Sequence, residues 1–180
     1  LVNANLSPAY GGGLSNESGG AVTLAASMVA DNTSAVGGGV YNTGAGSRLR
    51  LINGSLVQNN RASINGGGIS NDGSLNLTDA VVRGNGAGVS GGGILNHGTL
   101  TMIRSVARDN RTDAGSGGGI ASLGALTLTD SVVRGNTGYN GGGILNAARA
   151  RPTYGGVEIS HGPLVAGSGD LLARMADVIG

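Results

Sequence analysis

Arg83, Arg108 and Arg134 stand 25 and 26 residues apart. A guanidinium repeated at a fixed interval can present a row of planar, bidentate donors to carboxylates or phosphates, provided the fold stacks equal positions over one another. A row of like charges repels itself unless anions answer it, so the three residues are a candidate binding stripe for an acidic polysaccharide or a phosphate-bearing surface. The alternative is a solvated face. The groups needed for bond-breaking chemistry are arranged less suggestively. The acids are scattered, and no two or three fall at adjacent positions in neighbouring repeats, as paired carboxylates or a Ca²⁺ site would require. Asp109 and Asp113 are close in sequence, but Asp113 is expected in a loop without a mate. His97 falls at a turn and His161 in an irregular tail. No Ser-His-Asp arrangement or zinc-ligand spacing is present. The stretch Gly86-Ala87-Gly88-Val89-Ser90-Gly91 matches G-x-G-x-x-G, but without a surrounding βαβ unit it has no phosphate to cradle. No catalytic, cofactor-binding or metal-binding residue is therefore assigned, and no cofactor is expected.

Something must hold the arginines in line, and three recurring phrases do so. The first is Gly-Gly-Gly, then Leu, Val or Ile, then a variable residue, then Asn. It begins at Gly11, Gly37, Gly66, Gly91, Gly117 and Gly141, with Ser122 replacing Asn once. The second has apolar residues two apart: Val22/Leu24, Leu49/Leu51, Leu75/Leu77, Leu100/Met102 and Leu126/Leu128. The third is an apolar residue followed three positions later by Asn, as in Val29 and Asn32, Val57 and Asn60, or Val133 and Asn136. A period of about 25 residues points to a solenoid. Period-2 alternation in segments bounded by turn residues means short strands, and the glycine density disfavours helices.

The expected fold is all-β: a right-handed parallel β-helix with about 25 residues and three strands per coil. Residues 1–150 form the repeats. Residues 151–180 form an irregular segment in which Val157-Glu158-Ile159 is one last strand, and a short amphipathic helix after Ser168 caps the end. Leu14, Val40, Ile69, Ile94, Ile120 and Ile144 should make one inward column. Leu24, Leu51, Leu77, Met102 and Leu128 make a second, and Val29, Val57, Val82, Ala107 and Val133 a third. The two Asn columns should be internal ladders, and the glycine triplets should mark a corner that needs φ > 0 or close packing.

Outward positions also form columns. Asp79, Arg104 and Asp130 should make axial ion pairs. Met28, Leu56, Val81, Val106 and Val132 form an apolar outward stripe, unless the register slips by one or another segment covers it. Leu95 is the one residue of its phrase left free on the surface, in the column Ser15, Tyr41, Ser70, Leu95, Ala121 and Leu145. The column Thr23, Arg50, Asn76, Thr101 and Thr127 is too irregular for an ice-binding face.

Composition narrows the partners. The 180 residues include 38 Gly but no Phe, Trp or Cys, so the core must be thin aliphatic layers and no disulfide framework exists. All eleven basic residues are Arg, and the net charge is +1. With no Lys and no interleaved aromatics, nucleic-acid binding is not expected. No apolar run is long enough to span a membrane. The chain begins inside a repeat, so residue 1 is not expected to be the native N-terminus, and the missing signal peptide says nothing about export.

The phrases Gly91–Asn96 and Gly141–Asn146, together with Ser131–Asn136 and Gly124–Ser131, resemble those of bacterial right-handed parallel β-helix repeat proteins. The pairing of a Gly-Gly-Gly-Ile phrase with a Val-X-X-Asn phrase is similar to the polymorphic outer-membrane protein repeat, whose second signature is aromatic-X-X-Asn. The resemblance covers roughly residues 1–146. It implies a non-catalytic, adhesin-like region of an exported bacterial surface protein, located outside the cell or on its surface, with host or environmental glycans or surface proteins as partners. The alternative is the non-catalytic part of a polysaccharide-processing β-helix enzyme, a lyase or glycoside hydrolase.

Overall fold

A computed structural model describes residues 1–147, 153–155 and 158–161. They form an all-β parallel solenoid of about six turns with about 26 residues per turn. Each recurring phrase builds its own sheet. Sheet 1 stacks the glycine phrase, as Leu14–Asn16, Val40–Asn42, Ile69–Asn71, Ile94–Asn96, Ile120–Ser122 and Ile144–Asn146. Sheet 2 stacks the five-residue strands Ala21–Ala25, Arg48–Ile52, Ser74–Thr78, Thr99–Ile103 and Ala125–Thr129, followed by Thr153–Gly155. Sheet 3 runs from Val2–Asn3 through Met28–Ala30, Leu56–Gln58, Val81–Arg83, Val106–Arg108 and Val132–Asn136 to Glu158–His161. Every pairing is parallel, and equivalent residues of successive coils stand opposite each other, such as Ile69 with Ile94 and Val82 with Ala107.

Three strands per coil were expected, and a fourth is present. Thr33–Val36, Arg61–Asn65, Gly86–Ala87 and Arg111–Thr112 form sheet 4. Two of these strands are two residues long, and their outward column, Thr33, Arg61, Gly86 and Arg111, has no common chemistry. The strands are defined by their position after a buried Asn and not by their own alternation. Past residue 150, Thr153–Gly155 pairs with sheet 2, and Glu158–His161 supplies the strand expected at Val157–Ile159. Two faces of the coil thus extend into the segment expected to be irregular. The expected capping helix lies outside the described residues.

The three expected inward columns form the core. Val40, Ile69, Ile94, Ile120, Leu51, Leu77, Met102, Leu128 and the third column from Val29 to Val133 are all fully buried. Leu49, Leu75 and Leu100 add a second inward row on sheet 2. Burying such a side chain stabilises by about 1.5–3 kcal/mol, and each layer does so only because a coil lies above and below it.

Three corners per coil turn the chain with φ > 0, and each has its own column of residues. One holds the first glycine of each triplet (Gly91, φ 64°). A second precedes the buried Asn (Asp109, φ 56°). The third follows sheet 2 (Asp79, φ 52°; Arg104, φ 45°). Asp, Asn and Gly tolerate the left-handed region best, which explains most occupants of these columns. The other two triplet glycines answer a different need. A Cβ on Gly93 would lie 2.6 Å from the Gly119 carbonyl oxygen and 2.9 Å from the Asn110 side chain.

That Asn110 belongs to a continuous internal ladder. From Asn5 through Asn32, Asn60, Asn85 and Asn110 to Asn136, each Nδ2 donates to the next Oδ1 at 2.8–3.0 Å. An interior rung is fully satisfied. The Oδ1 of Asn85 accepts from both the backbone N–H and the Nδ2 of Asn60, and its Nδ2 donates to the Oδ1 of Asn110 and the carbonyl of Val57. The second ladder links Asn16, Asn42, Asn71 and Asn96 at 2.6–2.7 Å. At Ser122 it changes. Ser122 Oγ accepts from Asn96 at 3.1 Å but donates its single proton to the Gly124 carbonyl. The Oδ1 of Asn146 is left buried without a partner among the described residues. A serine column was not anticipated: Ser55, Ser105 and Ser131, with Ala80 between the first two, are buried at the remaining corner, and Ser131 Oγ accepts from the Ser105 N–H.

Ladder energetics can be measured in both directions. Asn85→Ala leaves the amide groups of Asn60 and Asn110 and the Val57 carbonyl short of partners, and should cost about 3 kcal/mol or more. Ser122→Asn restores the missing rung in a turn of unchanged length, and should stabilise by about 1 kcal/mol. Urea unfolding followed by circular dichroism reads both. A Ser122→Asn chain no more stable than its parent would mean that the unpaired Asn146 oxygen carries no cost.

Candidate functional site: the outer face of sheet 3

The alternation along sheet 3 places Val57, Val82, Ala107 and Val133 inside. The residues on either side of them face outward. Register runs Gln58 with Arg83, Arg83 with Arg108, and Arg108 with Arg134. The three arginines therefore do stand in one column, at the strand-to-strand spacing of about 4.8 Å. Their self-repulsion is relieved unevenly. Arg83 donates from Nε and Nη2 to the Gln58 side-chain oxygen at 3.0 and 2.7 Å. Arg108 is ion-paired with Asp109 at the adjoining corner. Arg134 is exposed and makes no side-chain hydrogen bond or ion pair among the described residues.

Next to the arginines lies the apolar column. Met28 pairs with Leu56, Leu56 with Val81, Val81 with Val106 and Val106 with Val132. The register has not slipped, and the column faces outward. Met28 is 37% exposed and the others are half-buried between neighbouring coils. Sheet 3 thus presents aliphatic side chains on one edge and guanidinium groups on the other.

Leu95 does not face solvent. It is 3% exposed, and its column neighbours Ser70 and Ala121 are also buried. At Ser70, Leu95 and Ala121 the chain entering the glycine triplet folds back over this face. A Cβ on Gly66 would lie 2.8 Å from that of Ser70, and one on Gly117 would lie 2.6 Å from that of Ala121. Strand alternation alone does not reveal this cover, because it comes from a connecting segment.

The expected axial ion pairing exists at one step. Arg104 binds Asp79 bidentately, with both bonds at 2.9 Å. The Arg104 hydrogen bonds hold the Asp79 carboxyl below the usual carboxylate range, reinforced by the guanidinium charge and opposed by partial desolvation. Asp113 has two arginine partners. Arg61 reaches its Oδ2 at 3.3 Å from two coils away, and Arg111 pairs with its Oδ1. The sequence signal for this bridge was an Arg directly after a ladder Asn, at 60–61 and again at 110–111. At the turn carrying His97, Nδ1 lies 2.9 Å from Asp72 Oδ1, and Thr43 donates to Asp72 Oδ2 at 3.1 Å. No group of three His, Cys, Asp or Glu side chains that could hold a metal occurs among the described residues. No family model, curated protein or solved structure matches the chain.

The Asp79–Arg104 pair makes a pH prediction. Because the folded-state pKa of Asp79 is depressed, its stabilising contribution is present above the unfolded carboxylate value and disappears as pH falls through the lower folded value. Carboxyl NMR titration should place Asp79 below an ordinary aspartate, and Arg104→Gln should return it toward normal. A midpoint unmoved by Arg104→Gln would show that the pair does not persist in solution.

Proposed function

We propose that this chain is a structural, non-catalytic repeat segment of an exported bacterial surface protein, holding a rigid rod outside the cell and making repeated contacts through its outward columns. What carries the proposal is the uninterrupted axial bonding. Every coil is joined to the next by parallel strand pairs and by buried amide rungs, which suits a spacer. The resemblance of the glycine and Asn phrases to polymorphic outer-membrane protein repeats supports the surface location.

The outer face of sheet 3 is the contact surface in this proposal, and acidic glycans are its partners. A sugar polymer with carboxylates offers anions to Arg83, Arg108 and Arg134 and ring C–H groups to the column from Met28 to Val132. Individual exposed ion pairs are weak, so affinity would come from repetition along the rod and would fall with added salt.

Replacing Arg83, Arg108 and Arg134 together by Gln should weaken binding to an acidic polysaccharide about tenfold at low salt, three exposed contacts of about 0.5 kcal/mol each. It should also flatten the salt dependence, as read by surface plasmon resonance on immobilised glycan. Unchanged affinity would remove the arginine column from any binding role. Progressive depolymerisation of the glycan by the purified chain would instead favour the polysaccharide-processing alternative.

A further inference from the structure

The outward columns are interrupted at one coil in a way that makes a cavity. At the corner before the ladder Asn, the occupants are Asn59, Gly84 and Asp109 in three successive coils. Two residues on, in sheet 4, they are Arg61, Gly86 and Arg111. The middle coil has no side chain at either position, while both neighbours carry polar ones. The result is a notch of about 350 Å³ with Gly84, Asn85 and Gly86 as its floor. Its walls are two coil spacings apart, about 9.6 Å between backbones.

Polar groups are directed into it. Arg61 uses Nη2 to hold Asp113, while its Nη1 lies 3.9 Å from where a Gly86 Cβ would be. The Asn59 side-chain oxygen would lie 2.7 Å from a Gly84 Cβ. The Asn59 carboxamide makes no hydrogen bond among the described residues, so it can both donate and accept. Across the notch, Arg111 is held by Asp113 from its other oxygen, and Asp109 lines the same wall. Asp113 thus fixes both guanidinium groups through one nitrogen each and leaves their remaining N–H donors unused.

The charges on this site select the ligand class. Asp109 is already paired with Arg108, so Arg61 and Arg111 face only the Asp113 carboxylate and one positive charge is left over; a singly charged anion balances it, and a phosphate or sulfate dianion overshoots it. A singly charged carboxylate carrying hydroxyls has a partner for each kind of group: guanidinium N–H donors for the anion, and the Asn59 carboxamide for hydroxyls. The volume suits one sugar ring. We propose that the notch over Gly84 and Gly86 is a binding site for a uronate sugar residue, separate from the arginine column of sheet 3 and not dependent on it.

The test uses the whole chain and a set of matched small probes, titrated by ¹H–¹⁵N NMR. Glucuronate should shift the Gly84 and Gly86 amides saturably. Glucose, acetate and inorganic phosphate should each bind at least about tenfold more weakly, the loss of one charge-assisted or polar contact set. Gly86→Thr fills the floor with a residue that already occupies this column at Thr33 and Thr137. The added Cβ meets nothing closer than 3.9 Å, so the variant should fold. It should weaken glucuronate at least about tenfold, as should Arg61→Gln with Arg111→Gln. Arg83→Gln with Arg134→Gln, which leaves the Arg108–Asp109 pair intact, should keep glucuronate affinity within about threefold, since neither residue lines the notch or pairs with one that does. Absence of saturable glucuronate shifts, equal binding of acetate or phosphate, or full affinity in Gly86→Thr would each overturn the site. Loss of glucuronate binding only in the Arg83→Gln, Arg134→Gln variant would assign it to sheet 3.

Discussion

A buried primary amide has two donors and an acceptor with two lone pairs, and leaving any of them unpaired costs about 1–3 kcal/mol. The ladder from Asn5 to Asn136 solves this by making each rung the partner of the next. That solution works only if the coils keep register to within a fraction of an ångström along the axis. The ladder therefore fixes coil length at its corner more strictly than the apolar columns do. An aliphatic layer tolerates Val, Ile, Leu or Met at one position, as sheet 2 shows with Met102 among leucines. An amide rung exchanged for another side chain breaks the chain of bonds, as Ser122 does in the second ladder.

The glycines follow from the ladder. The Asn110 side chain occupies the space where Gly93 would carry a Cβ, and the same relation links Gly68 to Asn85 and Gly119 to Asn136. The third glycine of each of the first five triplets is thus the partner of an Asn from a different phrase, less than one coil further along the sequence and in contact in space. The two phrases recur together because they pack together. The second ladder shows what happens when a rung is lost. Ser122 has one proton where Asn has two, and it spends that proton inside its own turn, so Asn146 receives none.

Inward positions were legible in the sequence because they are under this shared constraint. The three apolar columns, both Asn ladders and the glycine corners all recur with the coil and lie where their spacing put them. The register of Arg83, Arg108 and Arg134 was legible for the same reason, since Val82, Ala107 and Val133 beside them are core. Three features were not legible. The strands of sheet 4 bury only small, mixed side chains, Ser34, Ala62, Ala87 and Thr112, so no apolar column betrays them. The burial of Leu95 comes from a connecting segment crossing over sheet 1, and alternation cannot report what covers a strand. The Asp113 bridge joins coils two apart, past a glycine, so the period does not mark it, and the Arg that follows a ladder Asn at 61 and at 111 does not by itself name its partner.

Selection on a solenoid interior therefore produces repetition, and whatever is specific to one coil must reside in departures from it. The outer columns differ in this respect. The row Gln58, Arg83, Arg108 and Arg134 is nearly periodic and suits contacts repeated along a rod, each exchangeable for the next. The row Thr33, Arg61, Gly86 and Arg111 is aperiodic, and its interruption coincides with another at Gly84 in the same coil. Both glycines lie on outward positions that core packing leaves open to other residues, as Asn59, Asp109 and the threonines at 33 and 137 demonstrate. The fold does not require this pair of small residues. A recess flanked by two guanidinium groups anchored on one carboxylate is also more defined than the mobile arginines of an ordinary exposed face, because Asp113 removes part of the rotamer freedom that a ligand would otherwise have to restrict.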